Sequence, residues 1–347
     1  MLMHTQDQPE NIEAMSQIIN LFSQDEAQTV RLKRLKKQPW RTFYSLFVSK
    51  VKRKKEAQHA NVLQKKHVAQ LWNIFLDQYF DGSLEYFKLK PKKQFSDQNI
   101  IWQYWGQGFA AAQQNQTVKL CFASVDRFKG DYQVIRLDDE NIKDYLDLPD
   151  FVWEKKKNPV FKPAFFADLI RLALLDVYGG VWIDATILLT APIDPEILKQ
   201  DFFMFQRVDG TENKEFWINF NTDYFGWGEE HTINVLNSFI VGEKDNQAIH
   251  ICLDIMLNYW KTQTAIPHYF FFQIMFDQLV DKYLNENNFL KLDDTVVHLL
   301  QIMQNEEMDQ SKYNEILNKI MIHKLNYIKN VVPNSFSAYL LSQYYDL

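Results

Sequence analysis

The sequence predicts an α/β fold in which a mostly parallel sheet is flanked by helices. Short apolar runs alternate with longer segments whose apolar residues recur at helical spacing, a pattern typical of such sheets. A basic helical extension precedes this pattern over residues 1–97, and further helices follow it from about residue 280. We therefore expect two parts, the extension and an α/β domain over residues 98–347.

Composition excludes several classes of protein. The 347 residues are 46% hydrophobic and 24% charged, which is ordinary for a globular protein and rules out disorder of the whole chain. Two cysteines, Cys121 and Cys252, are too few for a disulfide framework, and no Cys/His spacing typical of a metal site occurs. The polar start MLMHTQDQPEN lacks the core of a signal peptide, and no apolar run is long enough to span a membrane. We therefore expect a cytoplasmic protein.

Charge is distributed unevenly along the chain. Residues 1–100 contain 17 Lys and Arg against 10 Asp and Glu, whereas residues 101–347 contain 21 against 34. A basic extension on an acidic body indicates an anionic partner, either nucleic acid or the inner face of the plasma membrane. No nucleic-acid recognition motif occurs, and the acidic body disfavours nucleic acid. We therefore expect residues 31–55 to contact an anionic membrane surface.

The segment 40–55 combines apolar side chains with many cations. Six apolar residues fall at i, i+3, i+4, i+7, i+8 and i+11, which predicts one stripe along a continuous helix. They are Trp40, Phe43, Tyr44, Phe47, Val48 and Val51. The same stripe also suits packing against the α/β domain. Burial separates the alternatives, because only a membrane-binding stripe stays exposed. Helices are also predicted around Ile12, Met15, Ile19 and Phe22 and over residues 61–80.

Strands and helices alternate from residue 98 onward. Strands are predicted at 99–105, 132–137, 181–189, 202–208 and 238–242. Helices are predicted near 139–146 and over 163–178, 245–262 and 266–283. Pro163 marks the start of the helix over 163–178, and Gly179 with Gly180 predicts a left-handed stop at its end. Residues 295–347 are expected to be helical, and they contain no motif that indicates a chemical function.

The segment 163–192 carries the strongest chemical signal. Asp168 and Arg171 lie three residues apart and share one face of an otherwise apolar helix. Asp184 follows an apolar run near the carboxyl end of a strand, where open α/β sheets bind ligands. Such groups bind sugar hydroxyls, phosphate oxygens or a metal ion on a diphosphate. Each feature alone also has a structural explanation, as a surface ion pair or a turn residue.

The whole segment resembles the core motif of the capsular polysaccharide synthesis glycosyltransferases, which are allied to the family-32 glycosyltransferases with a DXD sugar-binding region. Three pieces match successive elements of that motif: ADLIR at 167–171, YGGVW at 178–182 and DAT at 184–186. IIWQYWGQG at 100–108 resembles the family's first strand, and 236–260 and 268–276 resemble its later helices. The resemblance covers about residues 98–280.

This resemblance implies a GT-A fold, a nucleotide-sugar donor and retention of the anomeric configuration. Retention proceeds through a covalent glycosyl-enzyme or by same-face attack assisted by the leaving diphosphate, and both routes stay open. The expected catalytic residues are Asp184, Arg171 and Asn237. The expected donor-binding residues are Asp168, Arg171, Asp184, Gln103, Trp105, Gly180 and Tyr269. Trp105, after the first strand, is suited to stack on uracil, although packing in the core is an equal alternative.

The resemblance also implies a divalent metal ion, Mn²⁺ or Mg²⁺, as cofactor. Asp184 takes the first position of the Asp-x-Asp motif and Thr186 the second, with His268 as a further candidate ligand. A neutral hydroxyl is a weaker ligand for a hard cation than a carboxylate. We therefore expect loose metal binding that depends on the phosphates of the donor.

The function predicted from the resemblance is transfer of a sugar from a nucleotide-sugar donor to a glycan or lipid-linked glycan. A UDP-sugar is the favoured donor. The acceptor is expected to belong to a bacterial surface polysaccharide such as capsule, O-antigen or exopolysaccharide. Two alternatives stay open: a catalytically silent scaffold of a polysaccharide assembly complex, and a sugar-phosphate transferase on a similar fold. Loss of polysaccharide on replacing Asp184 with Ala would exclude the scaffold.

Overall fold

The central element of the protein is a five-stranded sheet. A computed structural model describes residues 18–96, 99–228, 230–284 and 289–344. The strands, in chain order, are β1 Ile100–Tyr104, β2 Gln133–Leu137, β3 Gly180–Ile183, β4 Ile187–Leu189, β5 Phe202–Gln206, β6 Val235–Gly242 and β7 Ile322–Lys324. The central sheet has the order β2-β1-β3-β6-β5, and β4 pairs with β7 in a separate two-stranded sheet.

Four of the five central strands run in the same direction. β1 pairs in parallel with both β2 and β3, whereas β6 pairs antiparallel with β3 and with β5. All five residues of β1 are buried, as are all eight of β6, because helices cover both faces of the sheet. The predicted α/β class with a mostly parallel sheet flanked by helices is confirmed.

Helices surround this sheet and form both ends of the described chain. Those before β2 are α1 Ala27–Leu35, α2 Trp40–Phe47, α3 Lys50–Phe80, α4 Phe109–Gln114 and α5 Gln116–Phe128. Those between β2 and β6 are α6 Asp150–Lys156, α7 Pro163–Tyr178, α8 Pro195–Leu198 and α9 Lys214–Phe220. The remaining ones are α10 Gln247–Thr262, α11 Phe271–Lys282, α12 Leu299–Met303, α13 Gln310–Lys319 and α14 Phe336–Tyr344.

Several predicted elements need correction. The run 181–189 is two strands, because the chain turns at 184–186 between β3 and β4. The segment near 139–146 forms only a short 3₁₀ helix, Asn141–Asp144. Gly179 has φ 72° and ψ −169°, so it ends α7 in an extended, glycine-favouring conformation rather than the left-handed helical one. The C-terminal segment is not wholly helical, because it contributes β7.

The predicted continuous helix over 40–55 is wrong. α2 ends at Phe47, Val48 adopts an extended conformation, and the Ser49 hydroxyl accepts a hydrogen bond from the Lys52 amide to begin α3. The residues Ile12 and Met15 of the predicted first helix lie outside the described residues.

The second half of α3 is part of the main core. Trp72 is fully buried, and its Nε1 donates to the Phe271 carbonyl oxygen at 2.9 Å. Its ring lies 4.7 Å from that of Phe22 and 5.2 Å from that of Tyr259, between centroids. The boundary at residue 97 stays a prediction, but this packing joins the end of the extension to α10 and α11.

Replacing Trp72 with Ala is expected to lower the free energy of unfolding by about 3–5 kcal/mol, because it removes a large buried side chain and leaves a cavity. Replacing Phe47, whose side chain is 81% exposed, is the matched control and should cost under about 0.5 kcal/mol. Urea unfolding of both variants measures this. Equal small effects would mean that the extension does not stabilise the core.

Candidate functional site

A cavity of about 560 Å³ opens at the carboxyl edge of the parallel strands. It is lined by residues after β1, by the first half of α7, by the turn between β3 and β4, by β6 and by the end of β7. β6 runs antiparallel to β3, with Ile183 opposite Phe239, so it begins at the edge where β3 ends. The site therefore collects side chains from segments far apart in sequence, as expected for an open α/β sheet.

Arg171 is the buried centre of the site. Its Nε donates to the Ala167 carbonyl oxygen at 3.1 Å, and NH1 donates to the carbonyl oxygen of Asn237. NH2 lies 3.1 Å from Asp168 Oδ1 and 3.4 Å from Asp184 Oδ1. The side chain is only 4% exposed. Arg171 thus joins α7, β6 and the turn after β3, and its donors are largely occupied by protein acceptors.

Asp184 begins the turn after β3. Its backbone amide donates to the Ser238 carbonyl oxygen at 2.9 Å, and its Oδ1 accepts from Trp182 Nε1 at 2.8 Å. Burial opposes ionisation of Asp184, but Arg171, Lys324 and hydrogen-bond donors outweigh it and hold its pKa below the usual range. Asp184 is therefore an ionised acceptor that faces the cavity.

Asp168 differs from Asp184 in the direction of its pKa shift. Burial raises the pKa of Asp168 to about 6, against the opposing effect of Arg171, and the neighbouring charge of Asp184 adds to the rise. Its Oδ1 also accepts from Asn237 Nδ2 at 2.9 Å. Asn237 in turn accepts from Gln273 Nε2 at 3.0 Å, through its Oδ1. The Asn237 amide is thereby held in one orientation beside both Asp168 and the cavity.

Lys324 is a site residue that the sequence did not reveal. Its Nζ lies 2.6 Å from Thr186 Oγ1, 3.1 Å from Ser238 Oγ and 3.4 Å from Asp184 Oδ2. The residue ends β7, far along the chain, in a segment where no motif was visible. Ser238 and Gln273 were also missed. A lone Lys after a short apolar run gives no signal until the pairing of β4 with β7 places it.

The side chains around Thr186 fit a divalent metal ion poorly. Of the motif's two positions only Asp184 offers a carboxylate, and the ammonium of Lys324 already contacts both Asp184 and Thr186. Within the ranges that the structure describes, no three His, Cys, Asp or Glu side chains are grouped to hold a metal ion. Stimulation by Mn²⁺ or Mg²⁺ stays a prediction, and the Lys324 ammonium lies beside both positions of the motif.

Aromatic side chains line the wall near β1 and α7. Trp105 lies at the cavity, its ring 6.3 Å from that of Tyr327 between centroids, and its Nε1 has no hydrogen-bond partner. Tyr269 also lines the cavity, and its ring is 61% exposed. Both predicted donor-binding aromatics are therefore placed where a base or a sugar ring has room to stack.

Three predicted site residues are not brought to the cavity. Gln103 is fully buried within β1, and its Oε1 accepts from Arg136 Nε at 3.1 Å. Gly180 begins β3, at the opposite end of the strand from Asp184, and pairs with Gly242. Gln103 is misplaced because neighbouring residues of a strand point to opposite faces of the sheet. Gly180 is misplaced because it lies at the start of the four-residue strand β3, whereas the cavity lies at its end.

His268 is the third correction. The Phe270 amide donates to His268 Nδ1 at 3.1 Å, which leaves the proton on Nε2, and Nε2 lies 3.0 Å from Asn61 Oδ1. Burial lowers the pKa of His268 to about 4 and keeps the ring neutral. Both ring nitrogens thus have protein partners, and His268 is not among the residues that line the cavity.

The extent of a family match decides the identity of the chain. A family model described as capsular polysaccharide synthesis protein matches residues 51–342. The chain belongs to this family. The predicted recognition is therefore confirmed, and in this capsular polysaccharide synthesis protein the match reaches beyond residues 98–280 to include most of α3 and the C-terminal helices. No curated protein matches the chain.

Two solved structures are similar to this capsular polysaccharide synthesis protein at low identity. One, described as a glycosyltransferase involved in the glycosylation of the major capsid of PBCV-1, has 10% identity and a TM-score of 0.32, over 71% of this chain and 98% of that one. The other, the PaToxG glycosyltransferase, has 11% identity and a TM-score of 0.32, over 73% of this chain and 92% of that one.

The raised pKa of Asp168 predicts a pH-dependent stability difference. Between the unfolded value and about pH 6 the folded protein binds the proton more tightly, so stability falls as the pH rises through this range. Asp168→Asn cannot ionise and lacks this loss. Its free energy of unfolding, relative to wild type, should therefore increase by about 1–2 kcal/mol between about pH 5 and about pH 7. Urea unfolding at both pH values measures the difference, and parallel curves would contradict the assignment.

Proposed function

We propose that this capsular polysaccharide synthesis protein is a glycosyltransferase that uses a nucleotide-sugar donor and retains the anomeric configuration. The observation that carries the proposal is the convergence of Asp168, Arg171, Asp184 and Lys324 at one cavity. Two carboxylates and two cations suit a ligand that presents both sugar hydroxyls and a diphosphate. The volume of about 560 Å³ is in the range of small-molecule sites.

The transfer exchanges one carbon–oxygen bond for another. The bond between the anomeric carbon and the diphosphate breaks, and its electron pair stays on the diphosphate oxygen. The acceptor hydroxyl oxygen forms the new bond, and its proton leaves with the nucleoside diphosphate. Preorganised cations at the diphosphate stabilise the charge that develops there, and ionised Asp184 is positioned to accept a hydroxyl of the donor.

The donor is proposed to be a UDP-sugar, with Trp105 stacked on the base. The cavity wall at Trp105 and Tyr327 offers two aromatic rings at the end of β1, beside the charged groups. A base stacked there would extend its diphosphate toward the β3–β4 turn. The acceptor is proposed to be a glycan or lipid-linked glycan of a bacterial surface polysaccharide, which rests on the family to which the chain belongs.

Purified protein incubated with a panel of nucleotide sugars and a glycan acceptor tests this function. Wild type should turn over one donor, and Asp184→Asn should lower kcat/KM by about a hundredfold or more, a loss of roughly 2.7 kcal/mol. Asp209→Asn, at an exposed position, is the control and should retain activity. The anomeric proton signal of the product in NMR reports the configuration. A folded wild type that turns over no donor would contradict the function.

We also propose that the extension binds an anionic membrane, where a lipid-linked acceptor lies. No residue of α2 is buried. Trp40, Phe43, Phe47 and Val51 are all exposed, with side chains between 47% and 81% accessible. No helix in the described ranges is long and apolar enough to cross a membrane. The proposed contact is peripheral and is made by these exposed apolar side chains.

The cations beside this face complement anionic headgroups. We define the α2 face by its exposed apolar residues and the cations next to them: Trp40, Phe43, Leu46, Phe47, Val51, Arg41, Lys50, Lys52, Lys54 and Lys55. Tyr44 OH donates to Glu56 Oε2 at 2.6 Å and ties α2 to the start of α3, so the face is held in place. Aromatic insertion combined with Lys and Arg near the surface is typical of interfacial helices.

Vesicle co-sedimentation tests the α2 face. Wild type should sediment with vesicles containing phosphatidylglycerol, should ignore phosphatidylcholine alone, and should dissociate at high salt because exposed charges are screened. A quadruple variant with Gln at Lys52, Arg53, Lys54 and Lys55 should bind at least about tenfold more weakly, because each cation contributes about 1 kcal/mol. The matched control changes four exposed lysines elsewhere to Gln, namely Lys88, Lys90, Lys319 and Lys329. Equal loss in both variants, or no binding by wild type, would contradict the proposal.

A further inference from the structure

We propose that the ammonium group of Lys324 replaces the divalent metal ion of this site and neutralises the leaving diphosphate, so that transfer is metal-independent. This inference rests on the proposed glycosyltransferase function and deepens it. Lys324 comes from the C-terminal strand β7, where no sequence motif pointed to it.

Strand register fixes Lys324 beside the motif. β4 and β7 pair antiparallel with Ile187 opposite Lys324, and the Leu325 amide donates to the Thr186 carbonyl oxygen at 2.9 Å. His323 on the same strand is fully buried, which anchors β7 against the core. Lys324 therefore lies opposite Ile187, the residue that follows Thr186. The pairing of this short strand leaves its side chain little freedom to point elsewhere.

The two cations of the site are not equivalent. Arg171 is 4% exposed and donates to two backbone carbonyls as well as to two carboxylates, so its role is to position Asp168 and Asp184. Lys324 is 21% exposed, lines the cavity, and contacts two hydroxyls and one carboxylate. An arriving phosphate oxygen can replace a hydroxyl partner of Lys324 without uncovering a buried charge.

Thr186 occupies the position where the second carboxylate of Asp-x-Asp would bind a metal ion. Lys324 Nζ lies 2.6 Å from its Oγ1, closer than to any other partner described. Because an ammonium group has only donors, the Thr186 hydroxyl accepts from it and has its own proton to donate to a phosphate oxygen. A carboxylate at 186 would attract a divalent ion, whereas Thr186 and Lys324 together supply one positive charge and two hydrogen-bond donor groups.

The charge of the site supports the same conclusion. Asp168 and Asp184 are matched by Arg171 and Lys324, so the four side chains approach neutrality when both acids are ionised. A divalent ion placed beside Asp184 would lie next to the Lys324 ammonium and be repelled by it. When the anomeric carbon–oxygen bond breaks and its electron pair passes to the diphosphate, the partly exposed Lys324 ammonium beside the motif is placed to offset that charge.

The first test compares activity with and without metal. Wild type in excess EDTA should retain its rate within about twofold of the rate with Mn²⁺. Lys324→Gln in EDTA should lose about a hundredfold in kcat, since one preorganised charge contact to the developing oxyanion is removed. Lys329→Gln, five residues later and exposed, is the matched control and should behave as wild type. Lys324→Met, which keeps the unbranched stem, replaces the Gln variant if thermal denaturation shows that the latter is unfolded.

The second test measures binding without turnover. The affinities of UDP and uridine are compared in EDTA by calorimetry, because their ratio isolates the diphosphate. Lys324→Gln should reduce that ratio by at least about tenfold and leave uridine binding unchanged, whereas a merely structural role would weaken both ligands together.

The outcomes separate this inference from the function on which it rests. Wild type that binds UDP and turns over donor only with Mn²⁺, or a Lys324→Gln variant with full activity in EDTA, would overturn the role of Lys324 and leave the glycosyltransferase function intact. Wild type that turns over no donor and binds neither UDP nor another nucleoside diphosphate would overturn the proposed function and this inference together.

Discussion

The site depends on the buried guanidinium group of Arg171. A charge at this depth is tolerated only if its donors are matched by acceptors, and here the acceptors are two backbone carbonyls and the carboxylates of Asp168 and Asp184. These partners belong to α7, to β6 and to the turn after β3. One side chain thus fixes the relative positions of three elements and of the two acids, and it lowers the pKa of both, although burial still raises that of Asp168.

The direction of β6 determines what surrounds this cluster. Because β6 runs against its neighbours, its first residues lie at the carboxyl ends of β3 and β5, and Asn237 and Ser238 enter the site. If β6 ran parallel to its neighbours, Asn237 and Ser238 would lie at the opposite edge of the sheet. The small β4–β7 sheet then brings Lys324 to the same edge. The capsular polysaccharide synthesis protein therefore builds its charged cavity from both halves of the α/β domain.

The N-terminal extension divides into two regions with different roles. The second half of α3 is buried by aromatic packing around Trp72, so it belongs to the core and is covered by the family match. No residue of α2 is buried, and its four large apolar residues Trp40, Phe43, Leu46 and Phe47 are exposed. Burying those residues within the protein would have stabilised it by removing apolar surface from water. Their exposure beside a row of cations is what distinguishes the α2 face from an ordinary surface helix.

The sequence by itself determined the α/β class, the bounds of α7 and the placement of Asp168, Arg171 and Asp184, because helical periodicity, Pro163 and the glycine pair are local signals. It also indicated an amphipathic segment at 40–51, but not its interruption at Val48 and Ser49. Only the tertiary structure decided that Gln103, Gly180 and His268 lie away from the cavity and that Lys324 lies within it. Which face a strand residue occupies, and which distant strand pairs beside it, depend on register between segments more than a hundred residues apart, and no local pattern encodes that register.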